Sequence, residues 1–223
     1  MGLNKQKGNM YSWCDYTWNP IRGKCPHQCS YCYMSRFPLK PIRLDEHDLN
    51  TTDLGKGNTI FIGSSCDMFA EDVPGEWIRK VFDKLLKYPE NTYLFQSKNP
   101  ERYSRYAAFP FNTIWGTTIE TNRESKLTTH APSVEERRDW ISVLEGRKMV
   151  SMEPIMDFDI VPVVNMMREI KPEFISIGAD SKGHNIPEPS KEKVSQLIEE
   201  LKKITEVKLK GNLKRITDGP QIH

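Results

Sequence analysis

From residue 58 to residue 211, short apolar runs alternate with longer amphipathic stretches. "NTIFIG" (58–63), "NTYLFQ" (91–96), "NTIWGTTIE" (112–120), "KMVSME" (148–153) and "EFISIGAD" (173–180) are rich in β-branched and aromatic residues, and predict buried strands. Between them, "PGEWIRKVFDKLLKYP" (74–89) puts Trp77, Val81 and Leu85 on one helical face, with Ile78 and Phe82 beside them. "NPERYSRYAAF" (99–109) reads as a short helix or turn. "SVEERRDWISVLEG" (133–146) opens with Ser133 and Glu136 at capping-box spacing and closes on Gly146. "IVPVVNMMREI" (160–170) carries Pro162 in its first turn, where proline is tolerated. "SKEKVSQLIEELKKI" (190–204) lines up Val194, Leu197, Ile198, Leu201 and Ile204, and "EVKLKG" (206–211) predicts an edge strand.

Such alternation means βαβ units and a parallel sheet. A further strand in "CDYTWNPIRG" (14–23) makes six or seven units, after a polar connection at 38–58 is set aside. No strand is followed by GxGxxG, which favours an incomplete barrel over a dinucleotide-binding sheet. The expected fold is α/β, a partial (β/α)6-type TIM barrel with mostly parallel strands. Chemistry in such barrels sits at the C-terminal ends of the strands. Here those ends are Gly63-Ser64-Ser65-Cys66-Asp67, Gln96-Ser97-Lys98, Thr117-Thr118 with Glu120, Glu153-Pro154, and Gly178-Ala179-Asp180. Small, hydroxyl and charged groups at every exit read as the lining of a pocket.

Length and composition narrow the class. The 223 residues, 28% charged and 37% hydrophobic, suit a globular chain with a sizeable core. No apolar run is long enough to span a bilayer, and "MGLNKQKGNMYSW" lacks the apolar centre of a secretory signal. Gln6 stands where a myristoylation site needs Ser or Thr. The expectation is a cytoplasmic protein without a membrane partner, whose thiols stay reduced. A net charge of +2 does not by itself mark a nucleic-acid binder.

Against that background, "GKCPHQCSYCYMSR" (23–36) stands out, with three of five cysteines spaced C-x3-C-x2-C. An odd count in a reducing compartment argues against a disulfide. Structural zinc takes four ligands, usually as two pairs, and no second C-x2-C pair exists. His27 lies inside the chelate loop, leaving Cys14 or Cys66 as a fourth ligand. An iron–sulfur cube normally takes four thiolates, so three would leave one iron open to a substrate or cofactor. Pro26, Gln28 and Ser30 are loop formers, and Tyr31 and Tyr33 are placed to shield a cluster.

The motif resembles the signature of radical S-adenosylmethionine (SAM) enzymes, on Cys25, Cys29, Tyr31 and Cys32. "TWNPIRGKCPHQCSYCY", "FIGSSCDMFAEDVP", "FQSKNPERY" and "SMEPI", in that order over residues 11–180, are similar to a phage-associated branch of radical-SAM-like proteins, itself distantly similar to spore photoproduct lyase. The resemblance implies one radical SAM partial-barrel domain over residues 1–223, with an N-terminal tail (1–10) and a C-terminal tail (212–223). It implies a [4Fe-4S] cluster on Cys25, Cys29 and Cys32, whose open iron chelates SAM. One electron then cleaves SAM, and the 5′-deoxyadenosyl radical takes a hydrogen atom from the substrate. Tyr31 is expected near the adenine. Gly63-Ser64-Ser65 stands where the family often has Gly-Gly-Glu, a departure that leaves the methionyl amino group to the hydroxyls or to Asp67. Gln96 and Ser97 are candidates for the methionyl carboxylate and ribose, and Lys98 for a carboxylate. Thr118 and Glu120 are candidates for the ribose hydroxyls, Glu120 equally a turn cap. Glu153 and Asp180 are candidates for the substrate side. Cys66 is a candidate hydrogen-atom donor, against the plainer reading of a buried thiol.

The resemblance carries fold and cofactor but no substrate. Arg22, Lys24, Arg36, Lys40 and Arg43 flank the motif, with Trp13, Trp18, Tyr33 and Phe37 close by and a basic "KLKGNLKR" at 208–215. These read either as a solvated surface or as a basic, stacking rim for a nucleobase or nucleic acid. A flavodoxin- or ferredoxin-type one-electron reductant is the implied partner. The alternatives are a peptide- or protein-modifying radical SAM enzyme, and a non-catalytic iron–sulfur or zinc module.

Overall fold

The computed structural model describes residues 2–106, 112–124 and 130–218. Along the chain come β1 (Asn4–Lys5), β2 (Tyr16–Trp18), β3 (Ile21–Arg22), β4 (Arg43–Leu44), α1 (Glu46–Thr51), β5 (Thr59–Ile62), α2 (Gly75–Leu85) and β6 (Thr92–Ser97). They are followed by β7 (Asn112–Thr118), α3 (Val134–Val143), β8 (Arg147–Met152), α4 (Ile160–Ile170), β9 (Phe174–Ile177), α5 (Lys191–Lys202), β10 (Glu206–Leu209) and α6 (Lys214–Thr217). Each apolar run has become a strand within a few residues of its expected bounds. Eight strands form one sheet in the order β1-β2-β5-β6-β7-β8-β9-β10. All neighbours are parallel except β1, which pairs antiparallel with β2. The sheet is open between β1 and β10, in keeping with the partial barrel.

Strict alternation along each strand separates two cores. Ile60, Ile62, Tyr93, Phe95, Trp115, Val150, Met152, Ile175 and Ile177 face outward into the core shared with the helices. There the Phe95 ring stacks on Phe82 at 5.2 Å and on Trp115 at 5.3 Å. Phe61, Leu94, Ile114, Met149 and Phe174, one residue out of phase, face inward and pack with Tyr11 and Cys14. At Gly116 a Cβ would stand 2.7 Å from Met149 Sδ, so the glycine makes room for the methionine within this layer.

The helices follow the expected stripes. Ile78, Val81, Phe82 and Leu85 are the buried positions of α2, and Val194, Leu197, Ile198 and Leu201 those of α5. α3 begins with the full capping box: Glu136 N donates to Ser133 Oγ at 3.1 Å and Ser133 N donates to Glu136 Oε2 at 2.7 Å. The segment read as a short helix or turn forms a 3-10 turn over Pro100–Arg105, and its end at 107–109 lies outside the described residues.

The outer segments and the connection carry short elements of their own. The N-terminal tail supplies β1. The C-terminal tail contains α6, with residues 219–223 outside the described set. The polar connection 38–58 contains β4, paired with β3, and α1, whose first turn is capped by Asp45 accepting from Asp48 N at 2.9 Å.

Candidate active site

Along the inward row the residues turn from apolar to polar. Two residues beyond the apolar layer stand Gly63, Gln96, Gly116, Ser151 and Ser176, and further on Thr118, Glu153 and Gly178. The Tyr11 hydroxyl donates to Gln96 Oε1 at 2.7 Å and lies 2.9 Å from Ser151 Oγ. Gln96 Nε2 donates to Thr118 Oγ1 at 3.1 Å. A hydrogen-bonded polar layer thus rests on an apolar plug, and a cavity of about 440 Å³ opens above it at the C-terminal strand ends.

Cys25, Cys29 and Cys32 all line this cavity, each half-buried. Their loop is wound as successive tight turns: Gln28 N donates to Cys25 O at 3.2 Å, Cys32 N to Cys29 O at 3.0 Å and Ser35 N to Cys32 O at 3.0 Å. The loop starts at Gly23, whose φ of +122° brings its backbone so near the return segment that a Cβ would lie 2.5 Å from Pro41 O. It is tied to the barrel by His27, buried between His130 O (3.1 Å from Nδ1) and Asp67 Oδ2 (2.8 Å from Nε2). Both partners are acceptors, so both ring nitrogens donate and the ring is an imidazolium. Burial pulls the His27 pKa down, and the Asp67 carboxylate outweighs it and holds the value above 6.5.

Asp67 is the hub of this end. Besides His27, its Oδ2 accepts from Ser97 Oγ at 2.9 Å and Lys98 N at 2.8 Å, and its Oδ1 from Phe69 N at 2.9 Å. Asp67 thereby ties the cysteine loop, the β5 exit and the β6 exit together, and it also lines the cavity. The departing Gly63-Ser64-Ser65 stretch is held by Asn19, whose Oδ1 accepts from Ser64 Oγ at 3.2 Å and Ser65 N at 2.9 Å. Cys66 is buried beside Cys25. Its thiol's hydrogen bond lowers the Cys25 pKa to about 6, against burial, and raises its own. Burial pushes the Cys29 thiol up, with the Lys98 ammonium opposing.

Tyr31, Gln96, Ser97, Thr118, Glu153 and Asp180 also reach the cavity wall. Glu120 does not. It is buried behind Tyr31, takes the Tyr31 hydroxyl, and accepts from Arg137 Nη1 at 2.8 Å, with Lys98 Nζ at 3.5 Å. Glu120 thus anchors Tyr31 from behind the cavity wall. Asp180 is committed as well, to His184 Nδ1 at 2.7 Å and to Lys182 N at 3.0 Å. Glu153 stays on the wall above Gly178, with Lys210 Nζ donating to its Oε2 at 2.9 Å. Burial raises the Glu153 pKa, and the Lys210 charge opposes this. Lys210, Lys182, His184, Tyr11 and Asn9 line the cavity too, and sequence reasoning missed them as site residues. The period-two pair Lys208 and Lys210 in "EVKLKG" was the available signal for the first.

Among the described residues no group of three His, Cys, Asp or Glu side chains is placed to hold a single metal ion. The three motif thiols line one cavity wall, and thiols are the donor type an iron–sulfur cluster takes.

Residues 9–184 match the family described as "Protein of unknown function (DUF5131)". No curated protein sequence matches the chain. Among solved structures, a double mutant of spore photoproduct lyase with bound AdoMet and dinucleoside spore photoproduct is similar with a TM-score of 0.55 at 12% identity, covering 91% of this chain and 66% of the lyase chain. A single mutant of the lyase gives 0.59 at 14%, covering 92% and 66%. The lyase complexed with dinucleoside spore photoproduct gives 0.57 at 12%, covering 89% and 64%. The likeness is one of fold, and this chain spans just under two thirds of the lyase chains. No helix among the described residues is long and apolar enough to cross a membrane.

Proposed function

The chain belongs to the DUF5131 family, and from its site we propose a radical SAM enzyme that holds a [4Fe-4S] cluster on Cys25, Cys29 and Cys32 and takes hydrogen from a nucleobase or nucleic acid. One observation carries the reading. The three thiols of a C-x3-C-x2-C loop line the same cavity as the exits of the parallel strands, above a closed polar floor. With SAM, the cluster supplies reductive cleavage and hence a hydrogen-abstracting radical.

The chain's own residues supply the rest. The hydrogen bond from the Cys66 thiol lowers the Cys25 pKa and so favours its metal-binding thiolate form. His27 and Asp67 fix the loop that carries the ligands, and Glu120 and Arg137 fix Tyr31 against the SAM adenine. Gly63, Ser64 and Ser65, with Gln96, Ser97 and Thr118, would hold SAM, and Glu153 with Asp180 and its loop would meet the substrate. The apolar layer of Phe61, Leu94, Ile114, Met149 and Phe174 closes the bottom of the barrel to water. A nucleobase substrate is supported by the lyase structure of like fold with bound AdoMet and dinucleoside spore photoproduct. Exposed Tyr33 and Phe37, among exposed Lys24, Arg36, Lys40 and Arg43 beside the cysteine loop, support the same class. A flavodoxin- or ferredoxin-type protein is the proposed electron donor.

The test is anaerobic reconstitution with iron and sulfide, reduction, and assay of 5′-deoxyadenosine from SAM, with Cys29→Ala as control. Turnover abolished in the control is the expected result. Zinc bound in place of a cluster, or equal turnover in Cys29→Ala, would sink the reading. A DNA or RNA shift that weakens with salt checks the substrate class.

A further inference from the structure

A second cavity, of about 560 Å³, lies in the open seam of the sheet, between the segment 6–13 and β10. Asn9, Met10, Tyr11, Ser181, Lys182 and Lys210 line both cavities, so the partition between them is one layer of side chains. The seam cavity gathers unsatisfied polar atoms. Trp13, Ser176 and Asn212 belong to its lining, and their Nε1, Oγ and Oδ1 are three of the six buried side-chain polar atoms without a hydrogen-bond partner among the described residues. A buried polar atom without a partner costs free energy, so a concentration of them in one cavity marks a place where a ligand completes the bonding.

Their orientation is set by the fold. Ser176, 1% exposed, shares the inward face of β9 with Phe174, whose ring meets Trp13 edge-on at 4.8 Å. Its register partner on β10 is Lys208, whose Nζ sits 4.5 Å from the Phe174 ring centre and 5.6 Å from that of Trp13. Asn212 Nδ2 donates to Ala179 O at 2.6 Å and Ser181 Oγ at 2.8 Å, which fixes Oδ1 as the acceptor left over. Three ammonium groups border the space. Lys208 has Glu206 at 3.4 Å, Lys210 has Glu153, and Lys182 is exposed and forms no ion pair among the described residues. The unpartnered buried groups of the lining are therefore an indole N–H, a hydroxyl and one amide oxygen, beside a residual positive charge.

We propose that the seam cavity is a phosphate-binding subsite, and that it holds the phosphate of a nucleotide substrate whose reacting part lies in the cysteine-lined cavity. Phosphate oxygens accept from Trp13 Nε1, Ser176 Oγ and Lys208 Nζ, and a protonated phosphate oxygen or adjoining sugar hydroxyl donates to Asn212 Oδ1. Assigning the phosphate to the substrate rests on the proposed radical SAM function; phosphate binding does not.

The experiment titrates the full-length protein by calorimetry with inorganic phosphate, a nucleoside 5′-monophosphate and the unphosphorylated nucleoside. Wild type is compared with Lys208→Gln, Ser176→Ala, Trp13→Phe and Cys29→Ala. Saturable phosphate binding, weakened at least tenfold in Lys208→Gln and severalfold in Ser176→Ala and Trp13→Phe, and intact in Cys29→Ala, is expected. The nucleotide should bind at least tenfold more tightly than the nucleoside. Absence of saturable phosphate binding to wild type, or equal binding in all the seam variants, overturns the subsite. Should Lys208→Gln misfold, Ser176→Ala, which removes one oxygen, decides alone. SAM cleavage without phosphate binding overturns this inference only; phosphate binding without SAM cleavage overturns its link to the substrate and leaves the subsite standing.

Discussion

Arg137→Met tests the buried ion pair that anchors Tyr31. Arg137 is 1% exposed and Glu120 2%, with 2.8 Å between Nη1 and Oε2. Arg137 also donates to Thr118 O at 2.7 Å and to Pro132 O at 3.0 Å. Methionine keeps much of the stem and removes the charge. Deleting one member of a buried pair costs about 3–5 kcal/mol, because the other charge is left without compensation. Lys98 stays 3.5 Å from Glu120, which places the expected loss at the lower end, about 3 kcal/mol. For a chain of this length, each kcal/mol lowers Tm by about 2–4 °C, so the fall should be roughly 6–12 °C. Circular dichroism of the cluster-free protein at neutral pH reads it. Glu120→Gln strands Arg137 instead and should cost a similar amount. The double variant Arg137→Met/Glu120→Gln removes both charges, and its loss should fall short of the sum by about 2 kcal/mol or more. A loss below about 1 kcal/mol in Arg137→Met, or strict additivity in the double variant, would refute the reasoning.

The remaining predictions concern neighbouring parts of the site. Gly178→Ala puts a Cβ 2.3 Å from Glu153 Oε1, so the carboxylate must leave its place beside Lys210; chemical denaturation should show a loss of about 1–3 kcal/mol, and an unchanged midpoint would mean that Glu153 does not sit over Gly178. In Asp67→Asn the carboxylate that outweighs burial is gone, so the His27 pKa, followed by nitrogen NMR, should drop from above 6.5 to below it; a value that stays high would rule out Asp67 as the cause. In the wild type the stability from this raised pKa is complete below about pH 6.5 and is lost as pH climbs through the folded value. Ser133→Ala removes the acceptor for Glu136 N and should cost about 1 kcal/mol in thermal unfolding, with no change in the 5′-deoxyadenosine assay.

Sequence made the frame of the molecule legible because the strands are buried on both faces. A run such as "TIFI" has only one stable environment, between an inner layer and the helices, so its apolar continuity announces it. Strand exits were legible for the same reason, since the residue after a buried run must reach the rim. The parts that stayed hidden depend on contacts across the chain. Tyr11 enters the barrel floor through Ser151, 140 residues away, and the short stretch around it shows no period. β4 and α1 are too short to show a period. The place of Glu120 behind Tyr31 depends on a partner on α3, yet a signal existed. Arg137 lies at helical spacing with Val134 and Ile141, on the face that α3 buries. A buried arginine needs a carboxylate, and Glu120 was the acidic residue at a neighbouring strand exit.

The same alternation that reveals the strands also separates what they do. On β6, Phe95 belongs to the aromatic core beneath α2, and Gln96, one residue on, belongs to the polar floor of the cavity. On β9, Ile175 and Ile177 stabilise the helix layer, and Ser176 between them faces the seam. A change at an outward position therefore acts first on stability, at core-packing magnitudes of about 2–5 kcal/mol for a large-to-alanine substitution. A change at an inward polar position removes at most a hydrogen bond of about 1 kcal/mol, as at Gln96 or Ser151, and none at Ser176, so it acts first on what the cavities can hold. Substrate preference can thus shift by exchanging Gln96, Ser151, Ser176 or Lys208 while the outward rows keep the sheet intact. Losses of binding without losses of stability are the signature to look for at those four positions.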